Sequence, residues 1–166
     1  MPCTLLFFVL LLMPCVVHES HFFHFTPTPC IVSTVDDDIV NQEVIKSALS
    51  DHYELHVAMN GFEALEFFDT RSKLPDLVLL DVMMPGMDGF EVLKEIREEK
   101  QIPPTSLPII MLSAMEPVDK ALVQSLNSGA NDYVSKPFDP DILKARVSTA
   151  VEIKRLRQIE VSLFLL

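Results

Sequence analysis

The stretch Leu77-Val78-Leu79-Leu80-Asp81-Val82-Met83-Met84-Pro85-Gly86-Met87-Asp88-Gly89 decides the fold class. Its four consecutive apolar residues predict a strand that is buried on both faces, as in the parallel sheets of α/β proteins. Asp81 ends this strand, and Pro85, Gly86 and Gly89 predict a loop before the next helix. A carboxylate at such a strand end lies where open α/β sheets bind ligands. An isolated aspartate there is more often a turn residue, so its role depends on the other strands.

Composition sets limits on the class of protein. The chain has 166 residues, the size of one compact domain with a short extension, and 49% of them are hydrophobic. The formal net charge is −11, and no stripe of Lys and Arg is present, so we expect no direct nucleic-acid binding. The cysteines Cys3, Cys15 and Cys30 are odd in number and form no C-x-x-C pair, which indicates neither a disulfide framework nor a zinc ribbon.

Residues 1–29 differ from the rest and are predicted to be a separate amino-terminal extension. Residues 4–13 form an almost unbroken apolar run, shorter than the roughly 20 residues that a membrane-spanning helix needs. No Lys or Arg precedes it and no clear cleavage site follows. Three interpretations stay open: a weak targeting signal, a membrane anchor, or a poorly defined gene start outside the folded unit. The histidines and cysteines at 15, 18, 21, 24 and 30 have no evident scaffold, so a metal site there is not favoured.

From Cys30 onward, strand and helix patterns alternate. The strands are predicted at Cys30–Val35, Tyr53–Ala58, Leu77–Asp81, Pro108–Ser113 and Asn131–Ser135. Helices are predicted from about Ile39, after Gly61, after Gly89, over Val118–Leu126, and from about Asp139 to Arg157. Five strands alternating with five helices require a parallel sheet with helices on both faces.

Polar residues stand at the ends of four predicted strands. Asp36 and Asp37 follow the first strand, Asp81 ends the third, Ser113 ends the fourth and Lys136 follows the fifth. In a parallel sheet these ends meet at one edge. Three neighbouring carboxylates repel one another and raise one another's proton affinity, and a hard divalent cation relieves this repulsion. A ligand set made only of oxygen atoms favours Mg²⁺ over zinc. Together with a hydroxyl and an ammonium group, this set suits a phosphoryl group.

The motifs in order closely resemble the receiver domain of two-component response regulators, the CheY-like family. The resemblance covers residues 30–154 and leaves residues 155–166 as a helical extension or a truncated linker. It is carried by Val35-Asp36-Asp37, Asn41, Asp81, Met84-Pro85-Gly86-Met87-Asp88-Gly89, Ser113-Ala114, Gly129-Ala130-Asn131-Asp132-Tyr133 and Lys136-Pro137-Phe138. It implies a flavodoxin-like (βα)5 fold, a doubly wound five-stranded parallel sheet whose order, 2-1-3-4-5, is taken over from the family.

The resemblance also implies a chemistry for Asp81. This residue would accept a phosphoryl group from the phosphohistidine of a histidine kinase or a phosphotransfer protein. Asp37 and Asp81 would bind Mg²⁺ directly, with the backbone carbonyl of Met83 as a third ligand and Asp36 acting mainly through water. The domain would promote only its own phosphorylation and dephosphorylation, which makes it a regulatory acceptor and not an enzyme.

Further roles follow from the same resemblance. Lys136 and Ser113 would contact the phosphoryl group, Ser113 and Tyr133 would form the switch, and the Lys136–Pro137 bond would be cis. The switch would alter a docking surface around the fourth helix and fifth strand, for a protein effector that the sequence does not identify. Such signalling implies a cytoplasmic location, while membrane association or targeting through residues 4–17 stays open.

The chain departs from the family in a few places. Ser33 and Thr34 replace branched apolar residues, so we expect the first strand to be less fully buried. Met83 and Met115 lie where some members position a hydrolytic water, which predicts slow self-dephosphorylation.

Two alternatives to the phosphoacceptor function remain. One is a receiver-like interaction module that is never phosphorylated. The other, less favoured, is an aspartyl phosphatase, which would need a second Asp where this chain has Met83.

Overall fold

The computed structural model describes residues 29–114 and 118–164 of the chain. Five parallel strands form one sheet in the order β2-β1-β3-β4-β5, which confirms the predicted flavodoxin-like (βα)5 fold. The strands are β1 (Ile31–Val35), β2 (Glu54–Ala58), β3 (Leu77–Asp81), β4 (Ile109–Ser113) and β5 (Asp132–Ser135). The helices are α1 (Ile39–Leu49), α2 (Gly61–Thr70), α3 (Gly89–Lys94, continued by a π-helical turn at Glu95–Glu99), α4 (Val118–Asn127) and α5 (Pro140–Phe164).

Strand β3 lies at the centre of the sheet, and all five of its residues are buried. Its side chains alternate between two apolar clusters. Val78 and Leu80 pack on the face covered by α2, α3 and α4, whereas Leu77 and Leu79 pack on the face covered by α1 and α5. A helical layer on each side therefore explains why the strand carries a continuous apolar run instead of alternating polar residues.

The expectation that β1 is less fully buried is wrong. Ser33 and Thr34 are 0% and 1% exposed. The Ser33 hydroxyl lies 3.2 Å from Nδ1 of His56, and the Thr34 hydroxyl donates to Oε1 of Gln42 at 2.6 Å. Because both hydroxyls are paired, β1 buries two polar residues without leaving an unsatisfied group.

The junction between β3 and α3 is tightly built. Asp88 caps α3, and its side chain and that of Glu91 form a reciprocal capping box. A Cβ atom at position 89 would lie 2.1 Å from the Asp81 carbonyl oxygen, so only glycine fits there. The loop that follows Asp81 is thus held against the end of its own strand.

Helix α5 continues to Phe164, beyond the predicted end at Arg157. Lys154 is the last of its buried residues. The Lys154 ammonium donates to the carbonyl of Pro75 at 2.9 Å and lies 3.4 Å from Asp76, which ties α5 to the loop before β3.

Within the described ranges, no helix is both long enough and apolar enough to cross a bilayer. The apolar run at residues 4–13, the wider segment 4–17 and the histidines at 18, 21 and 24 lie outside the described residues.

Candidate functional site

The carboxyl ends of β1, β3, β4 and β5 meet at one edge of the sheet. This edge brings together residues that the sequence separates by as much as 100 positions, the separation between Asp36 and Lys136. Carboxylate oxygens of Asp36, Asp37 and Asp81 all lie within 4.8 Å of one another. The predicted acidic cluster is therefore assembled by the fold.

The ammonium group of Lys136 bridges two of these carboxylates. Its Nζ lies 2.7 Å from Oδ2 of Asp36 and 2.9 Å from Oδ2 of Asp81. The side chains of Asp36 and Asp81 are 0% and 6% exposed. One cation thus offsets the repulsion between two carboxylates that are shielded from water.

Helix α1 holds the other side of the Asp36 carboxylate. Its Oδ1 accepts from the backbone N–H of Asp38 at 2.9 Å and from Nδ2 of Asn41 at 3.2 Å. Asp38 itself caps α1 by accepting from the N–H of Val40. Asp37, by contrast, is exposed. The acidic pair therefore combines one carboxylate anchored to the protein with one that faces solvent.

Asp81 has an electrostatic environment with opposing effects. Burial raises its pKa above the ordinary value, the hydrogen bond and charge of Lys136 act in the opposite direction, and the nearby Asp36 raises it further. The Asp81 Oδ1 also accepts from the backbone N–H of Met83 at 3.3 Å. The balance leaves a carboxyl group whose pKa is higher than that of an exposed aspartate.

Ser113 and Tyr133 lie next to each other behind this edge, and both are buried. The Tyr133 hydroxyl donates to the backbone carbonyl of Ser113 at 3.2 Å, and the N–H of Lys136 donates to the same carbonyl at 2.8 Å. Tyr133 is thus buried, with its hydroxyl at the end of β4. The Lys136–Pro137 peptide bond is cis.

The residues at this edge have the composition of a site for a hard cation. The three carboxylates provide only oxygen donors, and exposed Asp37 leaves one of them open to approach from solvent. Mg²⁺ binds through one or two carboxylates together with water, which is a requirement that such a set can meet. Asp36, Asp37 and Asp81 therefore form an acidic cluster that can hold a divalent metal ion.

Two residues that contribute to this edge were not recognised as functional from the sequence. Gln42 and Thr34 form a buried hydrogen bond beneath the Asp36 backbone. The available signals were a hydroxyl side chain within a mostly apolar strand and an amide on the buried face of α1.

Comparisons with known proteins agree with this geometry. The family described as "Response regulator receiver domain" matches residues 32–148. "Probable transcriptional regulator ycf27" of Cyanidium caldarium is 46% identical over 117 residues, which cover 69% of this chain and 43% of that relative. "Response regulator PleD" of Caulobacter vibrioides is 37% identical over 138 residues, covering 79% of this chain and 29% of that relative.

A solved structure gives the same result in three dimensions. The receiver domain of the Francisella response regulator 1452 superimposes with a TM-score of 0.65 at 33% identity, covering 75% of this chain and 98% of that one. The chain spans less than half the length of the two curated relatives. Because the family match extends over well more than half of the 166 residues, the chain belongs to the response regulator receiver domain family.

Proposed function

We propose that Asp81 accepts a phosphoryl group from the phosphohistidine of a histidine kinase or a phosphotransfer protein. A carboxylate oxygen of Asp81 attacks phosphorus, the P–N bond of the donor breaks, and the imidazole nitrogen takes the bonding electron pair. The product is an acyl phosphate on Asp81 and a free histidine on the donor. The domain in this proposal is a regulatory acceptor and does not turn over a separate substrate.

The observation that carries the proposal is the bridge made by Lys136. Its Nζ lies within 2.9 Å of both Asp36 and Asp81 at the edge of the sheet. An ammonium group already beside the attacking carboxylate would meet an oxygen of the incoming phosphoryl group, and such preorganised charges are the main means of stabilising phosphoryl transfer. Buried Ser113 would supply a hydroxyl to another phosphoryl oxygen.

Mg²⁺ fits the same proposal. Asp37 and Asp81 would bind it directly, the backbone carbonyl of Met83 would be a third ligand, and Asp36 would act mainly through water. When bound, the ion would neutralise charge on the phosphoryl oxygens during transfer. The exposed carboxylate of Asp37 and the oxygen-only composition of the cluster support this assignment.

We further propose that phosphorylation alters a docking surface around α4 and β5. Ser113 ends β4, and the hydroxyl of the neighbouring Tyr133 contacts its carbonyl. A phosphoryl group on Asp81 adds up to about two negative charges. Movement of the Ser113 hydroxyl toward that group would change the contact between Tyr133 and the Ser113 carbonyl. Val123 and Leu126 of α4 are exposed and are available to a protein effector. A histidine-kinase donor implies that this exchange takes place in the cytoplasm.

A direct test is to incubate the protein with Mg²⁺ and a small phosphodonor such as acetyl phosphate, and to record its intact mass. We expect one added phosphoryl group in the wild type and none in Asp81→Asn, because the amide is not a nucleophile for phosphorus. Asp51→Asn is a matched control, since Asp51 is an exposed carboxylate that follows the carboxyl end of α1, whereas Asp36 and Asp37 precede its amino end. A phosphoryl group that persists in Asp81→Asn, or a wild type that never gains one, would overturn the proposal.

A further inference from the structure

Gln42 is a buried amide on α1, only 6% exposed, that lies beneath the acidic cluster. Each of its polar atoms is hydrogen-bonded. Nε2 donates to the Asp36 carbonyl at 3.0 Å and to the Ala58 carbonyl at 3.3 Å, and Oε1 accepts from the Thr34 hydroxyl at 2.6 Å. A buried amide costs free energy unless its groups are paired, so this fully paired arrangement specifies a single conformation.

The two carbonyls that Gln42 contacts lie where the ladder between β1 and β2 ends. The last paired residues are Val35 and Ala58. The Ala58 carbonyl also accepts from the N–H of Asp36 at 3.2 Å. The Gln42 amide therefore connects the carboxyl ends of β1 and β2, directly before the carboxylates of Asp36 and Asp37.

Other groups orient the Asp36 carboxylate itself. Asn41 and the N–H of Asp38 contact Oδ1, and Lys136 contacts Oδ2. Gln42 contacts only the main chain of Asp36. The side-chain orientation and the backbone position of Asp36 are thus set by different residues.

We propose that Gln42, oriented by Thr34, is a positioning residue for Asp36 and Asp37, the two adjacent carboxylates of the proposed Mg²⁺ site. The inference rests on the proposed Mg²⁺ site and adds a residue that does not itself contact the ion. Mg²⁺ requires near-ideal octahedral geometry, so a shift of the backbone that carries Asp37, a proposed direct ligand, and Asp36, which acts through water, weakens binding. Partners outside the ligand set typically change metal affinity by about 10-fold to 100-fold when they are removed.

The test is a calorimetric titration of the full chain with Mg²⁺. Gln42→Met keeps the length and burial of the side chain but removes the amide group, with both its Oε1 acceptor and its Nε2 donor. We expect Mg²⁺ affinity to fall about tenfold. We also expect the phosphorylation rate to return to near the wild-type value at saturating Mg²⁺, because Asp81 and Lys136 are unchanged.

Ile45→Ala is the matched control for a loss of stability. Ile45 is fully buried on the same helix, within the apolar cluster between α1, α5 and the sheet. We expect this variant to lose unfolding free energy and to keep wild-type Mg²⁺ affinity. Equal affinity losses in Ile45→Ala and Gln42→Met would reduce Gln42 to a structural residue and overturn the inference.

Thr34→Val provides a second variant, which removes one hydroxyl and keeps the shape of the side chain. Alone it should weaken Mg²⁺ binding. Combined with Gln42→Met it should cause no further loss of Mg²⁺ affinity, because both changes interrupt one hydrogen-bond network.

Wild-type Mg²⁺ affinity in both single variants, or no Mg²⁺ binding by the wild type, contradicts the inference. Mg²⁺ binding that depends on Gln42 in a protein that never gains a phosphoryl group would overturn only the proposed function.

Discussion

At the scale of single residues, the ammonium group of Lys136 compensates the negative charge of two buried carboxylates in the site. It contacts Asp36 and Asp81, whose side chains are almost completely shielded from solvent. Removing one partner of a buried ion pair leaves a charge without compensation, which is far more costly than losing a surface pair. Here two carboxylates would be left facing each other.

We therefore expect Lys136→Met to lose about 3 kcal/mol of unfolding free energy in the absence of divalent cations. Added Mg²⁺ should recover part of the loss, since a cation then compensates the same carboxylates. Urea denaturation with and without Mg²⁺ measures both effects. Lys144→Met, which removes an exposed ammonium group on α5, is the control, and an equal loss in both variants would contradict the prediction.

The side chain of Met83 affects the expected rate of self-dephosphorylation. Its side chain is 66% exposed two residues after Asp81, and a thioether there has no strong donor or acceptor with which to orient an attacking water. We expect slow self-dephosphorylation and a several-fold faster loss in Met83→Asn. The measurement is the decay of the phosphorylated mass after removal of the donor. A wild-type half-life as short as that of a fast chemotaxis-type regulator would refute it. Met115, the other residue invoked, lies outside the described residues.

At the scale of secondary-structure elements, α5 separates into two parts. Up to Lys154 it buries residues against the sheet, namely Leu143, Val147 and Val151. From Leu156 onward, large apolar side chains such as Val161 and Phe164 are exposed. The helix therefore contributes to the core only through its first part.

Truncation of the chain after Arg157 should consequently change the free energy of unfolding by about 0.5 kcal/mol or less, as expected for exposed residues. Lys154→Met is the contrasting variant, because it removes the buried ammonium group that donates to the Pro75 carbonyl and lies beside Asp76. Urea denaturation of both should give a clear loss only for Lys154→Met. A large loss on truncation would mean that residues 158–166 stabilise the fold.

At the scale of the whole molecule, stability should depend on the protonation of His56. Its ring stacks on Phe67 with 3.4 Å between centroids and lies beside the Ser33 hydroxyl, so it joins β1, β2 and α2. Burial lowers the pKa of His56, and the charge of Arg71 lowers it further. The unfolded chain therefore binds this proton more readily than the folded chain does.

It follows that the His56 contribution favours folding at neutral pH and is lost as the pH falls from about 6.5 through the depressed folded pKa. We expect His56→Gln to show a smaller decrease in unfolding free energy between pH 7 and pH 5 than the wild type. Urea denaturation at several pH values gives the comparison, with His52→Gln as a control at an exposed histidine. Parallel curves for wild type and His56→Gln would contradict the assignment.

The sequence by itself determined the parallel sheet with alternating helices and the residues at its functional edge, whereas the strand order came from the family resemblance. Continuous apolar runs bounded by Gly and Pro define strands, helical spacing defines the helices, and their alternation permits few arrangements other than a parallel sheet. Once the sheet is parallel, residues that end different strands must share one edge. Asp36, Asp37, Asp81, Ser113 and Lys136 could therefore be named before any coordinate was known.

Only the tertiary structure decided how these residues are held. The bridge from Lys136 to two carboxylates, the paired hydroxyls within β1 and the amide of Gln42 all join segments that are distant in sequence or lie on different elements. Periodicity reports which face a residue occupies, but not which polar group it meets there. That choice depends on strand register and helix packing, because a hydrogen bond requires its atoms to be placed within a few tenths of an ångström.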